Sequence, residues 1–288
     1  MSIAELFKKK QTVYSFEIFP PKKDSPIDTI YNTLDQLEGL HPDYISVTYG
    51  AGGNPADKTT IDISSIVKDK FNITPLAHLT CINNSREDIS EILGQLKERG
   101  IDNILALRGD FRPDIPPKTD FRYASELVEY IIKQGGFHVS GACYPHGHPE
   151  GENMIDDIHN LRKKVDAGAE HLVSQLFFDN SVFYSFVERA RIAGINVPIG
   201  AGIMPVTSKK QIERMVSLTA ASLPVKFTKI ISRYEHNPEA LRDAGIAYAV
   251  DQIVDLISNG VQGIHLYTMN NPLVARRITQ AISSLIAD

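Results

Sequence analysis

Short β-rich runs alternate with longer segments of helical periodicity from one end of the chain to the other. Such alternation places a crossover helix between each strand and the next, and that arrangement builds a parallel sheet. Strand candidates are 13–19, 44–49, 73–81, 103–108, 138–144, 171–178, 197–202 and 263–268. Helical segments lie near 26–39, 57–70, 85–99, 122–134, 152–167, 181–193 and 208–218. An added one at 238–259 precedes the last strand, and a final helix follows Pro272. Eight strand–helix units in 288 residues predict an α/β fold, a single (β/α)8 TIM-type barrel with an extra helical segment before the last strand. A doubly wound open sheet is the alternative. It usually carries GxGxxG after its first strand, and Gly50-Ala51-Gly52-Gly53 does not fit that spacing.

Helix signals agree with these units: Ser85 stands three residues before Asp88, and Gly100, Gly168 and Gly194 fall just past helix ends. No linker or low-complexity stretch divides residues 1–288, so one domain is expected. A formal net charge of -5 argues against a nucleic-acid partner, which wants a basic face. The absence of any apolar run of spanning length argues against a membrane partner, and a cytoplasmic location is expected. Cys81 and Cys143 are too few for a metal set or a disulfide framework and read as reduced core residues.

A barrel lumen is usually filled by branched apolar side chains, so polar inward faces are informative. On the first strand Tyr14, Phe16 and Ile18 form the face toward the helices, leaving Val13, Ser15, Glu17 and Phe19 inward. Further strands offer Ser46 and Thr48, then Thr74, His78 and Thr80, then Arg108 and Asp110, and finally His265 and Tyr267. Each such group buried without a partner costs about 1–3 kcal/mol, so the lumen must hold a hydrogen-bonded network or a ligand. Glu17 lies near the C-terminal end of its strand, where barrel enzymes build their sites; a structural ion pair with Arg108 is its other reading. Arg108-Gly109-Asp110 suits an anionic ligand, with a guanidinium fork and a glycine that permits close approach. Asp157, Asn160, Lys163 and Lys164 share one helix face. His146 and His148, two apart with Glu150 nearby, have metal-like spacing, but Pro145 and Pro149 make the tract a rigid loop, no further ligand is evident and no metal is expected.

Together, Ser15-Phe16-Glu17-Ile18-Phe19-Pro20-Pro21, Ser46-Val47-Thr48-Tyr49-Gly50-Ala51, Ala77-His78-Leu79-Thr80-Cys81, Ala106-Leu107-Arg108-Gly109-Asp110 and Lys163-Lys164-Val165-Asp166-Ala167-Gly168-Ala169 resemble methylenetetrahydrofolate reductases of the bacterial, catalytic-domain-only type. Gln175 through Asp179, Gly202-Ile203-Met204-Pro205-Val206 and His265-Leu266-Tyr267-Thr268 extend the match in the same order. The resemblance implies FAD at the C-terminal ends of the strands. Its contacts would be Thr48, Tyr49, Ala51, His78, Arg108, Gly109, Asp110, Ala124, Tyr144, His148, Asp157, Asn160, Lys163 and Lys164. It also implies Glu17 as the general acid, Asp110 near the flavin ring and the pterin, and Gln175 and Gln211 on the substrate.

The implied activity is reduction of 5,10-methylenetetrahydrofolate to 5-methyltetrahydrofolate, with NAD(P)H and the folate using one site in turn, supplying methyl groups for methionine synthesis. Opening the methylene bridge needs an acid that keeps its proton near neutral pH, a state that a desolvated lumen favours for a carboxyl group. A homo-oligomer is expected. Two positions depart from the family pattern: Met215 stands where a phenylalanine is usual and Asn271 where an arginine is usual. Competing readings are another FAD-binding barrel oxidoreductase, such as a proline dehydrogenase-like enzyme, and a flavin- or folate-binding protein without catalysis.

Overall fold

The computed structural model describes residues 1–21, 26, 28–49, 58–111, 116–218 and 223–287. In chain order the elements are α1 (Ile3–Lys9), β1 (Val13–Ile18), α2 (Asp28–Leu37), β2 (Tyr44–Val47), α3 (Thr59–Asp69), β3 (Thr74–Thr80), α4 (Arg86–Glu98) and β4 (Asn103–Leu107). Then follow α5 (Ala124–Gln134), β5 (His138–Cys143), α6 (Met154–Asp166), β6 (Ala169–Ser174), α7 (Asn180–Ile192) and β7 (Ile199–Ile203). The chain closes with α8 (Lys209–Leu218), α9 (Val225–Tyr234), α10 (Pro238–Ser258), β8 (Gly263–Tyr267) and α11 (Pro272–Ile286). The strands pair in parallel in sequence order, and β8 returns to β1 to close the barrel. This is the predicted (β/α)8 architecture.

Alternation along β1 is as expected. Tyr14, Phe16 and Ile18 pack outward with Ile30 and Leu34 of α2 and Ile278 and Ile282 of α11. The other face looks into the lumen, where Ser15 is in register with Tyr44 and His265, and Glu17 with Ser46 and Tyr267. At α4 the signal at Ser85 is a full capping box: Ser85 Oγ accepts from Asp88 N at 3.2 Å, and the Asp88 carboxylate accepts from Ser85 N at 2.7 Å.

Two helices have no counterpart in the sequence reading. α1 begins with its own capping box at Ser2 and Glu5 and pushes Ile3, Leu6 and Phe7 against Val13, Tyr44, Leu76, Leu105 and Val173. Its start is tied down where Ile3 N donates to Asn103 Oδ1 at 3.0 Å. The N-terminal end of the barrel is therefore an apolar plug, and the polar lumen groups lie above it. α9 adds to the expected extra segment and carries Phe227 into a second apolar cluster with Leu176, Phe178, Met204, Val206 and Ile212. That cluster explains a shifted boundary: the 171–178 run ends as a strand at Ser174, because Leu176 and Phe178 pack into it instead of continuing the ladder.

Candidate active site

Glu17 occupies the centre of the lumen. Its Oε2 lies 3.5 Å from His78 Nε2 on β3 and 3.4 Å from His265 Nε2 on β8, with all three side chains buried. Each ring is held by a serine of the neighbouring strand. Ser46 Oγ and His78 Nε2 hydrogen-bond at 2.5 Å, Ser15 Oγ and His265 Nδ1 at 2.8 Å, and Tyr44 stacks on His265 at 6.0 Å. Burial lowers His78 to about 4, outweighing the opposing effect of the Glu17 carboxylate, so this imidazole is neutral near pH 7. Tyr267 closes the group on the β8 side. Its phenol donates to Ser174 O at 2.8 Å, and burial holds it well above its ordinary value.

The ion pair weighed between Glu17 and Arg108 does not form. Arg108 instead forks onto Glu150 of the β5–α6 loop, Nη1 to Oε2 at 2.6 Å and Nη2 to Oε1 at 2.8 Å, while its guanidinium lies 4.9 Å from the centre of the Phe111 ring. Arg108 sits too near the mouth, one residue past β4, while Glu17 is met first by the two lumen histidines.

Around Arg108 the ends of β4 and β5 and the inner side of α6 form one electrostatic unit. Tyr144 and His148 meet edge-on at 4.7 Å. Asp157 is raised chiefly by burial, with His148 and Lys164 acting against that. Lys164 reaches under β5, giving one N–H to Ala142 O at 2.6 Å, and burial lowers it. Asn160 and Lys163 point elsewhere: both are exposed and bond each other at 3.1 Å. The expected common face of α6 thus splits into an inner pair, Asp157 and Lys164, and an outer pair.

The remaining predicted positions are distributed around the same mouth. Thr48 and Tyr49 follow β2, and Ala124 opens α5. Asp110 is exposed beyond Gly109, whose φ of 89° and would-be Cβ, 3.0 Å from Ile82 Cγ2 and 3.1 Å from Thr80 Cβ, require glycine there. Gln175 follows β6, its Oε1 accepting from Leu176 N at 2.9 Å. Gln211 spends both ends of its amide on the loop after β7, accepting from Thr207 N at 3.0 Å and donating to Pro205 O at 3.2 Å. Ala51 lies outside the described residues. Of the two departures, Met215 packs beside the Phe227 cluster, and Asn271 is the N-cap of α11, accepting from Val274 N at 3.3 Å.

The residues present suit an anionic dinucleotide. A half-buried guanidinium fork, a glycine turn beside it and a half-buried lysine that gives one ammonium hydrogen to Ala142 O converge on the ends of β4 and β5. In the same loop His146 Nε2 is a buried ring nitrogen without a hydrogen-bond partner among the described residues. Among the described residues no group of three or more His, Cys, Asp or Glu side chains is placed to hold a metal ion. Sequence reading missed Glu150 as the partner of Arg108, since nothing local announces a contact across 42 positions.

Residues 2–283 match the methylenetetrahydrofolate reductase family model. The chain belongs to the methylenetetrahydrofolate reductase family. It is 37% identical over 269 residues to 5,10-methylenetetrahydrofolate reductase of Pectobacterium carotovorum subsp. carotovorum, covering 93% of this chain and 89% of that protein. Identity to the Escherichia coli (strain K12) reductase is 36% with the same coverage. Methylenetetrahydrofolate reductase (NADH) 1 of Arabidopsis thaliana is 34% identical over 93% of this chain, which spans 48% of that longer protein. Among solved structures, an uncharacterized Clostridium thermocellum protein that binds two copies of 5-methyl-5,6,7,8-tetrahydrofolic acid superposes with a TM-score of 0.69 over 98% of both chains. At 14% identity it shares the reductase barrel fold.

Proposed function

We propose that this member of the family is a FAD-dependent reductase that converts 5,10-methylenetetrahydrofolate to 5-methyltetrahydrofolate with NAD(P)H, its residues 1–288 acting as one catalytic domain. The observation that carries the reading is the buried carboxyl group of Glu17, set against two histidines in the lumen of a chain from this family. Arg108 and Lys164 would hold the diphosphate, with Tyr144, His148, Asp157, Thr48, Tyr49, His78, Gly109 and Ala124 lining the rest. Asn160 and Lys163, exposed on the outer face of α6 and bonded to each other, would meet only a solvent-facing part of the ligand. When bound, the flavin supplies a two-electron carrier that NAD(P)H reduces and the folate reoxidises.

The protein's own work is proton delivery and positioning. Glu17 gives a proton to the nitrogen that departs as the methylene bridge opens. Ser15, bonded to Nδ1, turns the Nε2 of His265 toward its Oε2, while Ser46 holds the same His78 Nε2 that lies 3.5 Å from it. Burial keeps water from competing for that proton. Asp110 stands exposed at the rim, where its carboxylate would lie near the bound ring and the pterin, and Gln175 and Gln211 would contact the substrate. We further infer a cytoplasmic homo-oligomer whose product feeds methionine synthesis. Among the described residues no helix is long and apolar enough to cross a membrane.

The test is direct. The purified protein should carry or take up FAD, show a flavin absorption spectrum, bleach with NADH or NADPH, and recover its colour on adding 5,10-methylenetetrahydrofolate without oxygen. Protein that takes up no FAD, or a reduced flavin that the folate fails to reoxidise, sinks the reading.

A further inference from the structure

Past Tyr267 the chain leaves the sheet abruptly. Met269 and Asn270 adopt φ of 51° and 53°, two consecutive non-glycine residues in the left-handed region. Each costs roughly 1–2 kcal/mol, less for asparagine than for methionine. Such strain persists only where surrounding contacts over-determine it.

Some of those contacts close the turn on itself, where Asn271 N donates to Thr268 O at 2.9 Å, and the rest run to Glu17 on β1 and to Phe19 just past it. The main-chain register between β1 and β8 ends at Glu17 and Tyr267. Thr268 then donates twice to Glu17 O, from N at 3.3 Å and from Oγ1 at 2.6 Å, and its hydroxyl accepts from Asn270 N at 3.3 Å. The Asn270 carboxamide takes both main-chain groups of Phe19, Oδ1 accepting from Phe19 N at 2.9 Å and Nδ2 donating to Phe19 O at 2.8 Å. A carboxamide presents the donor and acceptor of a peptide unit, so this side chain adds one more rung where the backbone ladder has stopped. The left-handed turn is what brings it there.

We propose that Asn270, supported by Thr268, is a positioning residue for Glu17. The clasp grips the backbone on both sides of Ile18 and so sets where the Glu17 carboxyl group meets His265 and His78. This rests on the reading of Glu17 as the acid of the folate step. A carboxyl group next to the end of a strand would otherwise share the fraying of that end, and a misplacement of about 1 Å at a reacting group can cost on the order of 10²-fold in rate.

Asn270→Gly removes the clasp while suiting the left-handed backbone, so lost function cannot be blamed on new strain. In the FAD-loaded protein it should slow folate-dependent flavin reoxidation about 10–100-fold, leave NAD(P)H-dependent flavin reduction within about twofold, and speed hydrogen exchange at the Phe19 amide. Asn270→Asp tolerates the same φ and keeps the acceptor for Phe19 N, and it should recover part of the rate; it also serves if the glycine variant does not fold. An unchanged folate step with faster Phe19 exchange overturns the proposal, as does equal damage to both half-reactions in either variant. Glu17→Gln run in parallel separates the two levels. If it leaves the folate step intact, the reading of Glu17 fails; if it abolishes that step while the Asn270 variants do not touch it, only the positioning role fails.

Discussion

Glu17 Oε2 faces His265 Nε2 at 3.4 Å across the seam where β1 meets β8, and both side chains are buried. The far side of the His265 ring is held by Ser15, so the imidazole is set in orientation before any substrate arrives. Replacing Glu17 by Gln keeps the shape of this arrangement and removes the transferable proton. Folate-dependent flavin reoxidation should fall by about 10²–10⁴-fold, the usual contribution of general acid catalysis, while flavin reduction by NAD(P)H survives. Stopped-flow measurement of each half-reaction decides it, and equal losses in both would make Glu17 structural.

Arg108 is the cation at the mouth best shaped for a phosphate, and Glu150 occupies both arms of its fork. The pairing raises Arg108 and lowers Glu150, mainly through that hydrogen bond. An anionic ligand of Arg108 has to displace the carboxylate. Glu150→Gln should therefore tighten FAD about two- to tenfold, corresponding to roughly 1 kcal/mol, and Arg108→Ala should weaken it. Fluorescence titration with FAD checks both. Weaker binding to the Glu150 variant would mean that the carboxylate holds the fork in place for the ligand.

Below the site, His171 is buried between Ser140 and Phe7, its Nδ1 3.1 Å from Ser140 Oγ and its ring 5.1 Å from that of Phe7. Burial, and then the nearby His265, lowers it to about 3, and burial lowers His78 to about 4. Both rings bind protons more weakly folded than unfolded, where histidine titrates near 6.5. Neither ring opposes folding above about pH 6.5, and stability is lost as pH falls below that toward 4 and 3, because the unfolded chain takes up the protons that the buried rings refuse. His171→Gln should flatten the fall of Tm between pH 6.5 and 4. An unchanged slope would show that this ring takes no part in acid unfolding.

Phe7 plugs the lower end of the barrel from α1. A Cβ placed on Gly263 would lie 2.8 Å from its ring and 2.9 Å from Gly200 Cα, so the space beside it is filled. Phe7→Ala should cost about 3–5 kcal/mol, read as a lower midpoint in urea. A loss below about 1 kcal/mol would mean that α1 is dispensable for closing the barrel.

The barrel was legible from periodicity because a parallel strand covered on one side by helices leaves a local, repeating trace. Tyr14, Phe16 and Ile18 against Val13, Ser15 and Glu17 is such a trace, and it correctly put the carboxyl group in the lumen. α1 escaped because its seven residues leave too short a pattern, and α9 because its apolar residues serve the local cluster around Phe227. The run at 171–178 read as one strand because burial in a ladder and burial in a side cluster look alike in composition.

By itself the sequence determined the α/β class, the closed ring of eight strand–helix units, the family, and which residue types face the lumen, since each depends on local periodicity or on ordered motifs. Tertiary structure alone decided the partners. Glu17 met His78 and His265 instead of Arg108, Arg108 met Glu150, Lys164 turned inward while Lys163 did not, and Asn270 reached back across the seam to Phe19. Such pairings depend on strand register, barrel closure and the direction a side chain leaves its helix. They join positions up to 251 residues apart, where the chain carries no local record of the contact.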